Sequence, residues 1–308
     1  MRAAALSWPM PTPDETHLHP GCALCALHGR RRFTALLAAG GALALAGPAR
    51  AQEGVQGDVG RTSSFTKLIS AEQIEASATQ QYAQLAQEAA AKGQLAPNDH
   101  PQVVRLRSIA RRIIPFATPW NARAPQWRWS VNLLLSPQLN AFCMPGGKIA
   151  FYSGILQKLQ LSDDEVATIM GHEVAHALRE PARERVGKTM ATRGAIEIGA
   201  AIFGLGGAGR AVADIGGQLL SMKFGRDDET EADIVGMDLA ARAGHDPAAG
   251  VTLWQKMLAA NKGAPPQWLS THPSGDTRIQ DIRAKLPKVL PLYERADKPS
   301  LRFGPPAA

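Results

Sequence analysis

The chain has 308 residues, 45% hydrophobic and 20% charged, with three cysteines and a formal charge of +7, a composition that excludes a disordered tail, a collagen and a small disulfide-stapled fold. No uninterrupted apolar run reaches the ~18 residues of a membrane span, which excludes a polytopic membrane protein. Five arginines against two acids put +3 of the charge within residues 1–51, so the rest is mildly basic, and no Lys/Arg cluster interleaved with aromatics points to nucleic acid.

The first predicted element is a targeting segment. Arg30, Arg31 and Arg32 precede a short apolar stretch from Phe33 to Ala46, broken by Gly40 and Gly41. Ala49 and Ala51 form a small-x-small cleavage site before Gln52. Paired arginines ahead of Phe33 resemble a twin-arginine export signal. The expected location is the periplasm, with an uncleaved membrane anchor facing it as the alternative. Met10 offers a second start. Cys22, Cys25 and His28 lie upstream of the cleavage site, so the mature chain keeps Cys143 alone and has no internal disulfide.

Residues 52–64 are polar and glycine-rich and read as a flexible lead. Helical spacing then predicts a helix over about 70–92, stopped by Gly93 and Pro97, and a second over about 101–114, ended by Pro115 and Pro119. The period changes to two over 127–135, which predicts a strand. Two short strands, 140–144 and 148–152, flank the turn Pro145-Gly146-Gly147. Helices follow almost to the end. The glycine-rich stretch 194–224 is interrupted by Glu197, Arg210 and Asp214, which favours two core helices packed through glycine over a membrane-dipping hairpin. There is no internal repeat. The expected fold class is α+β, mostly helical, divided into an export signal 1–51, the lead 52–64, one domain 65–290 and a tail 291–308.

The chemistry concentrates at His172-Glu173-Val174-Ala175-His176. Residues four apart on a helix share a face, so both imidazoles present to one Zn²⁺. Glu173, one position round, reaches a water beside the metal rather than the metal itself. Ser162 and Glu165 form a capping box, with Asp163 and Asp164 favouring the helix start. Catalytic zinc takes three protein ligands. Glu229 and Asp233 also lie four apart: the first carboxylate can ligate, and Asp233 can accept the Nδ1–H of a ligand histidine. Asp227, Asp228 and Glu231 read as a solvated acidic face.

These residues, His172-Glu173-x-x-His176 followed by Glu229-x-x-x-Asp233, resemble the gluzincin arrangement. Asn140-Ala-Phe-Cys-Met-Pro-Gly-Gly147, Ser153-Gly-Ile-Leu156, Arg226-x-x-Glu-x-Glu-Ala-Asp233 and Thr271-His-Pro273 with Arg278-Ile279 narrow the resemblance to one family. It is the peptidase family of the CAAX prenyl proteases, HtpX and the Oma-type and BepA-like quality-control proteases, matched from about residue 100 to 285. The multiple spans of the prenyl proteases are missing, and no room is left for a C-terminal repeat domain, so the chain looks like a short exported branch. Gly225 departs from the serine common there.

The resemblance implies a zincin-like fold, with a small sheet beside the active-site helix, and an endopeptidase holding one zinc per chain. Glu173 would act as base on a zinc-activated water. His272 and Arg278 are the candidate donors to the carbonyl oxygen. Alternatively His272 fills the open zinc position or caps a loop, and Arg278 pairs with a carboxylate. Substrates would be unfolded or misassembled envelope polypeptides bound along a sheet edge, with the strand 148–152 as the expected edge. No nucleic-acid partner is expected, and association with a membrane surface stays open. The rival readings are a catalytically weak metal-binding chaperone or assembly factor of the envelope, and a membrane-surface scaffold with a structural zinc.

Overall fold

In the computed structural model the described residues are 54–202, 223–260, 267–272 and 277–306. The signal segment and most of the glycine-rich stretch, residues 203–222, lie outside them. The chain is mostly helical with one three-stranded sheet, the α+β class expected.

Helix α1, Ala71–Ala91, starts at a capping box between Ser70 and Gln73 that the apolar periodicity does not reveal. Helix α2, Pro101–Ile113, has proline in its first position, where no amide hydrogen is needed. The sheet follows: β1 Ser130–Leu134, β2 Ala141–Met144 and β3 Lys148–Tyr152. β1 is shorter than the period-two stretch. Trp127 and Trp129 precede it with rings 5.3 Å apart. A Cβ on Gly147, whose φ is +75°, would stand 2.6 Å from the Trp129 ring, so the turn needs glycine twice over.

Strand order is β1-β3-β2, with β3 parallel to β1 and antiparallel to β2. This corrects the expected substrate edge. The segment 148–152 is the central strand, with both sides paired, and cannot accept a peptide. On the outer side of β1, Ala96 donates to Leu133 and Leu135 to Gln94, so that edge is occupied. β2 is left. Tyr152 donates to Asn140 O, and antiparallel pairs alternate, so residues 142 and 144 bond to β3 while 141 and 143 turn their backbone groups outward.

One face of the sheet packs under α1 through Ala78, Tyr82, Met144 and Ala150. The other meets the main core and helix α4, Asp163–Arg179. Between them sits the short helix α3, Ser153–Lys158. Helix α4 is buried nearly all round: Val166, Ile169, Met170, Val174 and Leu178 are inaccessible, as befits a central helix. Its N-terminus carries the expected box, Glu165 N–H to Ser162 Oγ at 3.3 Å and Ser162 N–H to Glu165 Oε2 at 2.8 Å. Asp163 and Asp164 do more than favour the dipole. Buried Arg105 donates to Asp163 at 2.6 Å and to Leu161 O at 2.7 Å, while Phe303 N–H donates to Asp163 and Arg302 pairs with Asp164. The helix ends at Glu180, a left-handed cap with φ 58° whose N–H returns to His176 O. Pro181 then opens helix α5, Pro181–Ile202.

Helices α6, Arg226–Arg242, α7, Ala249–Ala260, α8, Gln267–Thr271, and α9, Arg278–Arg295, complete the described elements. α6 crosses α4 at Gly171 and Gly236. A Cβ on Gly171 would lie 2.6 Å from Gly236 O, and one on Gly236 would lie 2.6 Å from His172 N. Backbone therefore meets backbone one residue from the first histidine. The polar lead is held rather than free from residue 54 on: Val55 N–H donates to Asp238, and Asp58 pairs with Lys285 and Lys288. No helix among the described residues is long and apolar enough to cross a membrane.

Candidate active site

Helix α4 presents His172 and His176 one turn apart, with Nε2 atoms 3.0 Å from each other. Helix α6 brings Glu229 across, 3.2 Å from His176 Nε2 and 3.6 Å from His172 Nε2. Helix α8 delivers His272 at its end, with Nδ1 2.9 Å from Glu229 and 3.3 Å from His172 Nε2. All four donors lie within 4.8 Å of one another and are buried. Four ligands at ~2.0–2.1 Å from one zinc ion stand roughly 3.3 Å apart. The nitrogen and carboxylate set, at these spacings, therefore fits zinc.

Metal donors must be deprotonated, and three of the four are held so. Burial holds His172 below its ordinary value and pushes His176 down to about 4. Burial opposes ionisation of Glu229, but the imidazoles of His172, His176 and His272 override it and keep the carboxyl below its usual range. His272 is raised instead: burial lowers it, and the carboxylates of Glu173 and Glu229 outweigh that.

Around the four donors, Asp233 Oδ1 lies 3.0 Å from His172 Nδ1, which sets the tautomer that frees Nε2. Arg278 donates to Asp233 at 2.6 and 2.7 Å and to Glu229 at 2.7 Å, and its guanidinium lies 3.8 Å from the Trp254 ring centre. Nε, Nη1 and Nη2 each donate to a carboxylate, and Nη2 also lies 3.3 Å from His172 Nδ1, which is the pairing given above as the alternative for Arg278. Glu173 is 1% exposed and its Oε1 lies 3.6 Å from His272 Nε2. Of the acids read as a solvated face, Asp228 accepts from Gly225 N–H and so closes the α6 start, and Glu231 pairs with Arg179.

A cleft opens between this cluster and β2. Asn140 to Pro145 form one wall; Glu173, His176, Ala177, Phe224 and His272 line the other. The edge strand thus runs along the donors. Three residues escaped the sequence reading. Phe224 stacks on His176 at 3.8 Å and donates its N–H to Thr271 O. Trp254 floors Arg278. Trp268 donates its indole N–H to Glu173 Oε1 at 2.6 Å. The spacing of Trp268 and His272, one helical turn apart, was the available signal for the last.

The family model of peptidase family M48 matches residues 102–286. The mitochondrial metalloendopeptidase OMA1 of Schizosaccharomyces pombe is 32% identical over 204 residues, 65% of this chain and 58% of that protein. The metalloprotease LoiP of Escherichia coli is 26% identical over 206 residues, 66% of this chain and 78% of that protein. The β-barrel assembly-enhancing protease of Yersinia pestis is 28% identical over 181 residues, 56% of this chain and 37% of that protein. The chain thus spans little more than half the length of the fission-yeast relative.

Proposed function

The chain belongs to peptidase family M48, and from that premise we propose that it is an exported zinc-dependent endopeptidase acting on unfolded or misassembled envelope polypeptides. The observation that carries the reading is the four-donor cluster with Glu173 beside it, facing an open strand edge.

His172, His176 and Glu229 would hold one zinc, which when bound lowers the pKa of its water toward about 7. Glu173 accepts the proton as the water attacks the peptide carbonyl and passes it to the leaving amine. An extended peptide lies along β2, bonding to the outward groups of residues 141 and 143, which fixes its backbone with little demand on sequence. Arg278 and Asp233 act by holding Glu229 and His172 in place. A catalytic zinc keeps one position open. His272, the fourth of these donors, would close that position with the metal bound, and turnover would then require its imidazole to withdraw. Glu173 beside the donors favours this reading over a chaperone that merely binds metal.

The test is metal analysis of the purified protein with digestion of casein, with and without chelator. One zinc per chain and chelator-sensitive cleavage, both lost in His176→Ala, are expected; metal content unchanged in that variant would overturn the ligand set. Export through residues 29–51 is part of the proposal. Lysine at both Arg30 and Arg31 should block it in cells, and the mature N-terminus should be Gln52.

A further inference from the structure

We propose that Trp268 is a positioning residue for the general base: its indole N–H holds Glu173 Oε1, leaving Oε2 as the oxygen that takes the proton of the attacking water. This rests on the reading of Glu173 as that base.

A glutamate beside a metal has three torsions to settle, and a base that rotates freely spends little time aligned with its proton. Helix α4 fixes only the Glu173 backbone. The side chain needs a separate anchor, and Trp268 supplies it at 2.6 Å. Trp268 is itself immobile. It is 1% exposed, its ring is stacked on His272 at 4.9 Å and lies tilted against Trp254 at 5.3 Å, and its backbone N–H is bonded to Leu139 O. Leu139 immediately precedes the edge strand. Trp268 O in turn accepts from His272 N. One residue therefore ties together the base, the start of the substrate strand and the histidine that closes the site. It is absent from the cleft wall, so it acts through Glu173 and not on the peptide.

The decisive change removes the N–H and nothing else. In the full chain, the indole of Trp268 is replaced by its benzothiophene isostere, in which sulfur stands for N–H. Cleavage of a fluorogenic casein is then compared with that by the parent and by Glu173→Gln, with zinc content measured in each. The isostere should lower kcat about 10- to 100-fold at unchanged KM and unchanged zinc. In the metal-free protein, the indole N–H signal assigned by its loss in the isostere should move upfield in Glu173→Gln. Parent-like kcat in the isostere, with Glu173→Gln inactive, would overturn the inference and leave the base in place. An active Glu173→Gln would instead overturn the underlying reading. A rise in KM alone would assign Trp268 to the substrate strand and likewise overturn the inference.

Discussion

The pair α4–α6 and the short helix α8 meet at the same donors but are built in opposite ways. α4 and α6 are 17 residues each and touch backbone to backbone at Gly171 and Gly236. α8 has five residues. It is anchored by Trp268 N–H on Leu139 O and by Phe224 N–H on Thr271 O. Long packed helices fix His172, His176 and Glu229 with almost no freedom. A helix too short to be stable alone is held here through Trp268, and leaves the His272 imidazole, just past its end, as the group free to move at small cost. On the proposed reading, the difference would divide the site into a part that binds the metal and a part that governs access to it.

The comparison breaks most completely at Glu173. Glu173→Gln keeps the carboxyl shape and the zinc but removes the base, and casein cleavage should fall by about 10²–10⁴; substantial residual turnover with zinc retained would mean another group accepts the proton. Changing His272, on the movable side, should act with the opposite sign. His272→Ala should raise peptide cleavage several-fold and weaken zinc retention, read by initial rates and by competition with a chromogenic chelator. A drop of about 10²–10³ would instead give the imidazole the oxyanion role.

On the rigid side, Gly236→Ala should force a Cβ against His172 N. Such overpacking costs about 1–3 kcal/mol, or about 2–4 °C of Tm per kcal/mol in a chain of this size, and should be accompanied by lost zinc affinity. An unchanged melting curve would show that the helices can separate freely.

A comparable effect is one of pH on the metal-free protein. His176 has its folded value near 4 against 6.5 when exposed, so the unfolded state binds the extra proton between those values. Stability is then full above about pH 6.5 and falls, by about 3 kcal/mol, as pH drops toward 4. The raised value of His272 works the other way, stabilising below its ordinary 6.5 and fading as pH rises through the folded value. Urea titrations with chelator present should show the acid loss, and one zinc equivalent should suppress it above pH 6. A flat profile would contradict the burial of His176.

The same division decides what was legible beforehand. His172, Glu173 and His176 lie within five residues on one helix, and its start was announced by Ser162 and Glu165, so period and capping were enough. Glu229 and Asp233 repeat the spacing. The substrate edge was misplaced because a tight turn predicts that β2 pairs with β3 but says nothing about which side β1 joins; β1 paired with β3 and made it central. Gly171 and Gly236 are 65 residues apart, and no local pattern tells a glycine that touches another helix from one in a turn. Arg278 could not be settled from its neighbours, since the carboxylates it holds lie 45 and 49 residues earlier.

The open edge of β2 also sets how this protein coexists with copies of itself. An unpaired strand beside an apolar cleft is a template for association between chains. Here only four residues form the strand, Asn140 Oδ1 accepts the Ala141 N–H, and Pro145 follows directly. Among the described residues, that leaves the carbonyl of Ala141 and the two backbone groups of Cys143 turned outward. Three such groups can align a single extended segment. They are too few to seed a growing sheet, and a folded protein, with its strands already paired, has nothing to offer them.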